Sequence, residues 1–368
     1  MLQDANQKID RLFSIDLLKA ISITAVVSYH SVFVPESTYA SASYLMDILF
    51  APLRFCVPVF FTISFLLLER SLEKSSNASF YPLLKKRFTR LLIPTLFWGG
   101  LAVALRLLGK ANQTESIIIL VLRGKIFPGY YYLLVMLQFL PVFIILNHQM
   151  GKLKNFFIIL IFQLIVLTLI YISNLEVFGT DIIKFLRSIG RPFFAYWFLY
   201  MSLGACFYKN WFKLLKVSNY IPVIFKIFLL LSTSLVMIAE YNYLQTVTHR
   251  QVIPFEYAMF SCILSAIVMF ICFSSIQENQ IYLPLRIIIK LLSKYSLGIF
   301  CINGILSLLF LQLGTQLFVG LNFTFSEILA IKLISCNLLL IRKDSGQRVL
   351  TSVTSEADYH NNGKKPAS

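Results

Sequence analysis

The stretch F-F-I-I-L-I-F-Q-L-I-V-L-T-L-I-Y-I, Phe156–Ile172, contains no charged residue. A helix rises about 1.5 Å per residue, and the hydrocarbon core of a bilayer is about 30 Å thick. A segment of this kind is therefore expected to be a transmembrane helix. Nine further segments have the same character: Leu17–Val34, Leu45–Leu68, Leu91–Leu108, Tyr130–Leu146, Phe193–Phe207, Ile221–Ala239, Tyr257–Ile276, Leu297–Leu313 and Phe325–Ile341. The sixth in chain order, Phe193–Phe207, and the last are the shortest in apolar content. Ile117–Leu122 is too short to span and reads as interfacial or re-entrant.

The composition agrees. Of 368 residues, 58% are apolar and 14% are Asp, Glu, Lys or Arg, against about 25% charged in soluble domains. Mean hydropathy is +0.75. The expected fold is all-α and integral to the membrane, with about ten transmembrane helices in one bundle. The division along the chain is a cytoplasmic N-terminal segment 1–16, a membrane domain 17–341 and a polar tail 342–368, the last too poor in apolar residues to fold alone. The first apolar stretch follows a polar segment and lacks an A-x-A cleavage site, so it is expected to remain as an anchor.

The formal charge is +16. Its distribution gives it a use other than nucleic-acid binding, because no basic polar face with interleaved aromatics exists. With the N-terminus inside, Lys8, Arg11, Arg70, Lys74, Lys85, Lys86, Arg87, Arg90, Lys152, Lys154, Lys209, Lys213, Lys216, Arg286, Lys290, Lys294 and the basic tail fall on the cytoplasmic side. The resulting bias of roughly three to one supports an N-in, C-in topology. The six cysteines all lie in apolar stretches without CxxC or metal spacing, so they read as small buried hydrophobes and no metal site is expected.

Charged groups inside spans are costly and are functional candidates by default. Here they are Lys19, His30, Arg54, Arg106, Lys226, Glu240 and Lys332. Lys19, Arg106, Glu240 and Lys226 sit near span ends, where they can snorkel. Lys332 sits mid-span in the weakest helix. His30 is about 20 Å along the first helix from Leu17, toward the outer leaflet. Lys19 shares its face, about 16 Å away, with Asp16 and Ser22 beside it. Arg54 lies about 14 Å into the second span and should face a polar cavity with a phosphate or carboxylate partner.

These residues resemble the acyltransferase 3 family. Its opening pattern is Asp, two residues, Arg, ten residues, His. The chain has R-L-F-S-I-D-L-L-K-A-I-S-I-T-A-V-V-S-Y-H (Arg11–His30), which places Asp16, Lys19 and His30 on those positions. V-P-V-F-F-T-I-S-F-L-L-L (Val57–Leu68) resembles the family's Val-Pro-Leu-Phe-Phe-x-x-Ser-Gly segment, which a basic residue such as Arg54 often precedes. K-K-R-F-T-R-L-L-I-P (Lys85–Pro94) resembles Arg-x-x-Arg-x-x-x-Pro, and S-K-Y-S-L-G-I-F-C-I-N (Ser293–Asn303) resembles Tyr-Ser-x-x-Ile-Tyr-x-x-His. There are departures: Lys19 replaces Arg, Phe65 replaces Gly, Asn303 replaces a common second His, and Tyr130–Tyr132 stand where His and Trp are frequent.

The resemblance implies an O-acyltransferase of the bacterial cytoplasmic membrane. It would move an acetyl group from cytoplasmic acyl-CoA, with no tightly bound cofactor, to a hydroxyl of an extracytoplasmic polysaccharide or glycolipid. Glycan synthesis or export machinery would be its partners, together with the lipid bilayer. His30 would be the catalytic base or acyl carrier. Lys19, Arg54, Arg87 and Arg90 would bind the donor, although Arg87 and Arg90 equally suit ordinary positive-inside charge. Asp16, Ser64, Tyr132, Tyr295, Ser296 and Asn303 would line the pocket or simply bridge helices. Two other functions stay open at this point: a polysaccharide exporter, and an inactive copy with an altered C-terminus.

Overall fold

The computed structural model describes residues 13–31, 34, 36–74, 80–108, 116–175, 181, 184–185, 190–249, 255–318 and 321–341. The polar tail 342–368 lies outside the described residues. Among those described, every regular element is helical: α1 Phe13–His30, α2 Ala40–Phe50, α3 Cys56–Lys74, α4 Phe80–Leu108, α5 Ile117–Leu122, α6 Tyr130–Met150, α7 Leu153–Asn174, α8 Phe198–Lys209, α9 Trp211–Tyr220, α10 Val223–Val247, α11 Phe260–Phe273, α12 Leu283–Leu317 and α13 Phe325–Ile341. Each of the ten apolar segments coincides largely with one of these helices, except Leu45–Leu68, which covers parts of both α2 and α3. The first begins at Phe13 rather than Leu17, so Asp16 is already inside it.

Among the described residues, five stretches are long and apolar enough to cross a membrane: Ala40–Lys74, Leu84–Leu108, Leu153–Asn174, Val223–Val247 and Leu283–Gly314. Tyr130–Leu146 and Phe260–Phe273 are shorter apolar helices. Among the described residues, five of the ten expected crossings meet this measure. The 12 residues of α8 rise about 18 Å, well under the bilayer core. The helix α1 carries Asp16 and Lys19 in its first turns. The protein is a multi-pass membrane protein.

Its outer surface is apolar. On α7, Ile158, Ile161 and Ile165 are exposed, and on α10 so are Ile224, Phe228, Leu231 and Leu235. Polar side chains turn inward instead: Ser22, Thr62, Gln163, Ser202 and Arg54 are buried. This inversion suits lipid, which solvates leucine well and hydroxyls badly. The centre of the bundle is α3, packed on α8 and α1, with α1 lying along α12. Parallel alignment of α1 and α12 is fixed at both ends. Ser293 donates to the Asp16 carboxylate, and Ser307 donates to the carbonyl of His30 at 3.3 Å.

The stretch Ala40–Lys74 is not one straight rod. A 3-10 turn, Ala51–Phe55, separates α2 from α3. Pro52 sits at the start of that turn and Pro58 in the first turn of α3, positions that cannot donate a helical N–H. Arg54 projects from this break.

Most charged groups inside the apolar segments have structural partners. Arg106 donates to the carbonyl of Ile126 at 2.7 Å. Lys226 donates to Ser275 at 2.9 Å and to Ser218 at 3.3 Å, which ties α10 to α9 and to the chain just after α11. Lys332 donates to the carbonyl of Tyr29 at 3.1 Å. That carbonyl lies in the last turn of α1, where a cation meets both an unpaired acceptor and the negative end of the helix dipole. Mid-span Lys332 is thus the contact that docks α13 on α1.

Glu240 does not snorkel. Its two oxygens accept from the backbone N–H groups of Phe260 at 2.8 Å and Ser261 at 2.7 Å, and from the Tyr171 hydroxyl. A carboxylate on α10 therefore caps the N-terminus of α11 and anchors α7. Glu240→Gln removes the charge and turns an amide donor toward backbone donors. The expected cost is about 1–3 kcal/mol, read as a lower unfolding temperature in detergent; an unchanged temperature would contradict this role.

Candidate functional site

A cavity of 490 Å³ opens between α1, α3, α4, α6 and α12. Its chemistry changes along its length. At one end stand Arg70, Ser71 and Lys74 of α3, Arg87 and Arg90 of α4, and Lys294 of α12. Deeper along the same helices the lining becomes Phe60, Ser64, Tyr132, Met136 and Phe300, with Lys19 of α1 on one wall. Helical spacing explains the cluster. Ser64, Leu67, Leu68 and Ser71 recur at three and four residues, so they share one face of α3. Arg87 donates to the Ser71 hydroxyl, which itself donates to the carbonyl of Leu67 at 2.8 Å. The hydroxyls of Ser64 and Tyr132 are 3.1 Å apart, and the Tyr132 ring packs against Phe61 and Phe300.

A second cavity of 210 Å³ lies at the other end of α1. It is lined by Tyr29 and His30, by Tyr39, Ser43, Asp47 and Phe50 around α2, by Pro128, by Ser307 of α12, and by Lys332. No described residue hydrogen-bonds the His30 imidazole, whose ring meets Tyr29 edge-on at 5.0 Å. The carbonyl of His30, not its ring, takes the Ser307 hydroxyl.

The turn before α6 stands beside both cavities. Phe300 lines the first, and Pro128 lines the second. They meet at the turn before α6. Gly129 has φ of 94°, and a Cβ there would stand 2.5 Å from the Phe300 ring. A Cβ on Gly304 would stand 2.5 Å from both Phe127 and the Pro128 carbonyl. Two glycines thus let the Phe127–Gly129 turn wedge against α12, between the basic cavity and the histidine.

Arg54 lines neither cavity. It is 1% exposed, and its Nη2 donates to the Tyr29 hydroxyl at 2.8 Å. Its guanidinium carbon sits 3.7 Å from the centre of the Tyr241 ring, while Nε and Nη1 have no hydrogen-bond partner. The expected phosphate or carboxylate contact is replaced by two tyrosines, one of them next to His30. Nearby, Arg191 pairs with Glu256 at 2.6 Å and lies 5.3 Å from the Tyr131 ring. Burial alone would raise the Glu256 carboxyl, but Arg191 and then Arg54 outweigh it and hold it below the ordinary carboxylate range.

The model of the acyltransferase domain of the acyltransferase 3 family matches residues 12–336. The chain belongs to the acyltransferase 3 family. No curated protein and no solved structure matches it. The family match runs from the start of α1 into α13, so both cavities lie wholly inside the acyltransferase domain.

The fold brings together six of the residues singled out from sequence. Lys19, Ser64, Arg87, Arg90, Tyr132 and Ser296 all line the larger cavity of this acyltransferase domain. Asp16 reaches its edge through Ser293. Tyr295 stacks under Lys294, with the ammonium 5.0 Å from the ring centre. Asn303 is buried one turn before Ser307, whose hydroxyl donates to the Asn303 carbonyl at 2.8 Å. Phe65, at the family's glycine position, is fully buried on α3. Its partner helix supplies the missing space, because Gly204 of α8 faces it.

Sequence reasoning missed Ser71 and Lys294 at the first cavity and Tyr29, Asp47 and Ser307 at the second, and it singled out Lys332 without assigning it to a site. Asp47 and Lys332 carried a signal, since each is a charge inside an apolar segment. Ser71 and Ser307 carried none, because lone serines on apolar helices are ordinary.

Proposed function

We propose that this membrane acyltransferase moves an acyl group from acyl-CoA, bound in the 490 Å³ cavity, to a hydroxyl held beside His30. The observation that carries the reading is the pair of cavities separated by a single turn, one basic at its mouth and one holding an imidazole. The positive-inside bias puts the basic mouth on the cytoplasmic side, where acyl-CoA is made. Arg70, Lys74, Arg87 and Arg90 suit the phosphates of CoA, since guanidinium groups match phosphate oxygens with paired hydrogen bonds. The narrower depth, lined by Phe60, Met136 and Phe300, suits the less polar pantetheine arm and its thioester.

Acyl transfer then requires the pantetheine arm to reach past the Phe127–Gly129 turn, so that the thioester meets the hydroxyl beside His30. A hydroxyl is a weak nucleophile at neutral pH, and a positioned imidazole removes its proton as the oxygen attacks the thioester carbonyl carbon. The carbon–sulfur bond breaks, and the proton on His30 passes to the departing thiolate. The net change is one ester gained, one thioester lost and free CoA released. The acceptor side faces away from the cytoplasm, which supports acetylation of a surface polysaccharide or glycolipid in the bacterial cytoplasmic membrane.

A double Arg87→Ala, Arg90→Ala variant tests the donor half. Loss of charge-assisted hydrogen bonds worth about 1.5–3 kcal/mol each should raise KM for acetyl-CoA by at least tenfold. The transfer rate at saturating donor should change little. An unchanged KM in correctly inserted protein would remove the donor assignment from this cavity.

A further inference from the structure

The smaller cavity has a lining chosen for more than a base. Its volume is 210 Å³. A space of this order suits one sugar ring, with any further chain extending from its open side. Asp47 of α2 contributes the one carboxylate of the lining and Lys332 of α13 the one ammonium. Both are held from behind. Gln245 donates to Asp47 at 3.3 Å and to the Tyr241 hydroxyl at 2.6 Å, so Asp47 is fixed from α10. Lys332 is fixed from α1 through the Tyr29 carbonyl and lies 3.8 Å from the Phe50 ring centre.

A carboxylate only accepts hydrogen bonds, and an ammonium only donates them. Together they match the donor and acceptor faces of neighbouring sugar hydroxyls. A second carboxylate placed beside Asp47 would be repelled, since like charges in a partly desolvated space disfavour each other strongly. Ser43 and Ser307 add small hydroxyls to the same lining.

We propose that Asp47 and Lys332 are specificity-determining residues of the acceptor cavity, which takes one neutral sugar ring, Asp47 accepting from its hydroxyls and Lys332 donating to them. This rests on the proposed function, in which His30 acts on the acceptor. The two residues choose which hydroxyl the imidazole meets and exclude acidic sugars.

The test compares acetylation of two probes, a methyl hexoside and the matching methyl uronoside, by purified protein in detergent. The wild type should favour the neutral probe. Asp47→Asn, nearly isosteric, should shift the ratio of kcat/KM toward the uronoside by about tenfold, one full charge-assisted hydrogen bond plus a lost repulsion. Lys332→Gln should lower kcat/KM for both probes without that shift. An unchanged ratio in active Asp47→Asn protein would overturn the inference, as would wild-type preference for the uronoside or acetylation of neither probe. Its failure is separable from that of the proposed function. If His30→Ala also keeps wild-type rates, the functional reading falls; if His30→Ala is inactive and only the ratio fails to move, the specificity assignment falls alone.

Discussion

His30→Ala should lower acyl transfer by about 10²–10⁴-fold, the usual worth of a positioned general base, while leaving the amount of inserted protein unchanged. The second half of this expectation comes from the packing. The imidazole takes no hydrogen bond from any described residue, and its ring contact is with its own neighbour Tyr29. The link to α12 runs through the His30 backbone carbonyl, which alanine keeps. A side chain facing a cavity and supporting nothing is removed cheaply. His30→Gln separates the roles further. It keeps a polar group of similar size but has no basic nitrogen, so it should be as inactive as alanine. Transfer above half the wild-type rate in either variant would show that another group takes the proton.

Gly204→Ala should disrupt the bundle itself. A Cβ on Gly204 would stand 2.4 Å from the Thr62 carbonyl oxygen, 2.8 Å from the Leu66 nitrogen and 2.9 Å from the Phe65 Cβ. Two of these are backbone atoms of α3, which cannot rotate aside. The helices must separate, and α3 with α8 is the most extensively packed pair of the fold. Separation also loosens the face of α3 that lines the larger cavity. Membrane helices associate mainly through close packing, so small residues at contacts carry much of the stability. Overpacking costs about 1–3 kcal/mol or more, and Gly204→Leu should cost more than Gly204→Ala. Monodisperse yield and unfolding temperature in detergent measure it. Gly100 is the internal control, because a Cβ there meets nothing within 4 Å, and Gly100→Ala should match wild type.

Much of the fold was legible because lipid imposes a simple rule. Apolar length is read directly, and the apolar segments coincide largely with helices. The ends of the helices were less legible, since hydropathy does not report where a helix starts or stops. Phe193–Phe207 scans as apolar, yet its helix starts only at Phe198, after a 3-10 turn at Phe194–Tyr196. The inner charges divided in the same way. Their cost in lipid marked Arg54 as needing a partner and left Glu240 to snorkel and Lys332 unexplained; the partners found are distant in the chain: the N-terminus of α11 for Glu240, the end of α1 for Lys332, and Tyr29 with Tyr241 for Arg54. No local spacing encodes such contacts. The candidate site was more legible where it lies on consecutive helical turns, as with Ser64 and with Arg87 and Arg90. It was least legible at the second cavity, which α2, α12 and α13 assemble around the end of α1.

The most direct measurement uses inverted membrane vesicles containing the protein and its acceptor glycan, with radiolabelled acetyl-CoA supplied outside, against the former cytoplasmic face. Label is expected in the lumenal glycan, dependent on the protein, and no label is expected when right-side-out vesicles receive the same donor on their outside only. Glycan that crosses the membrane in a protein-dependent way without ever acquiring label would contradict it and mark the protein as an exporter.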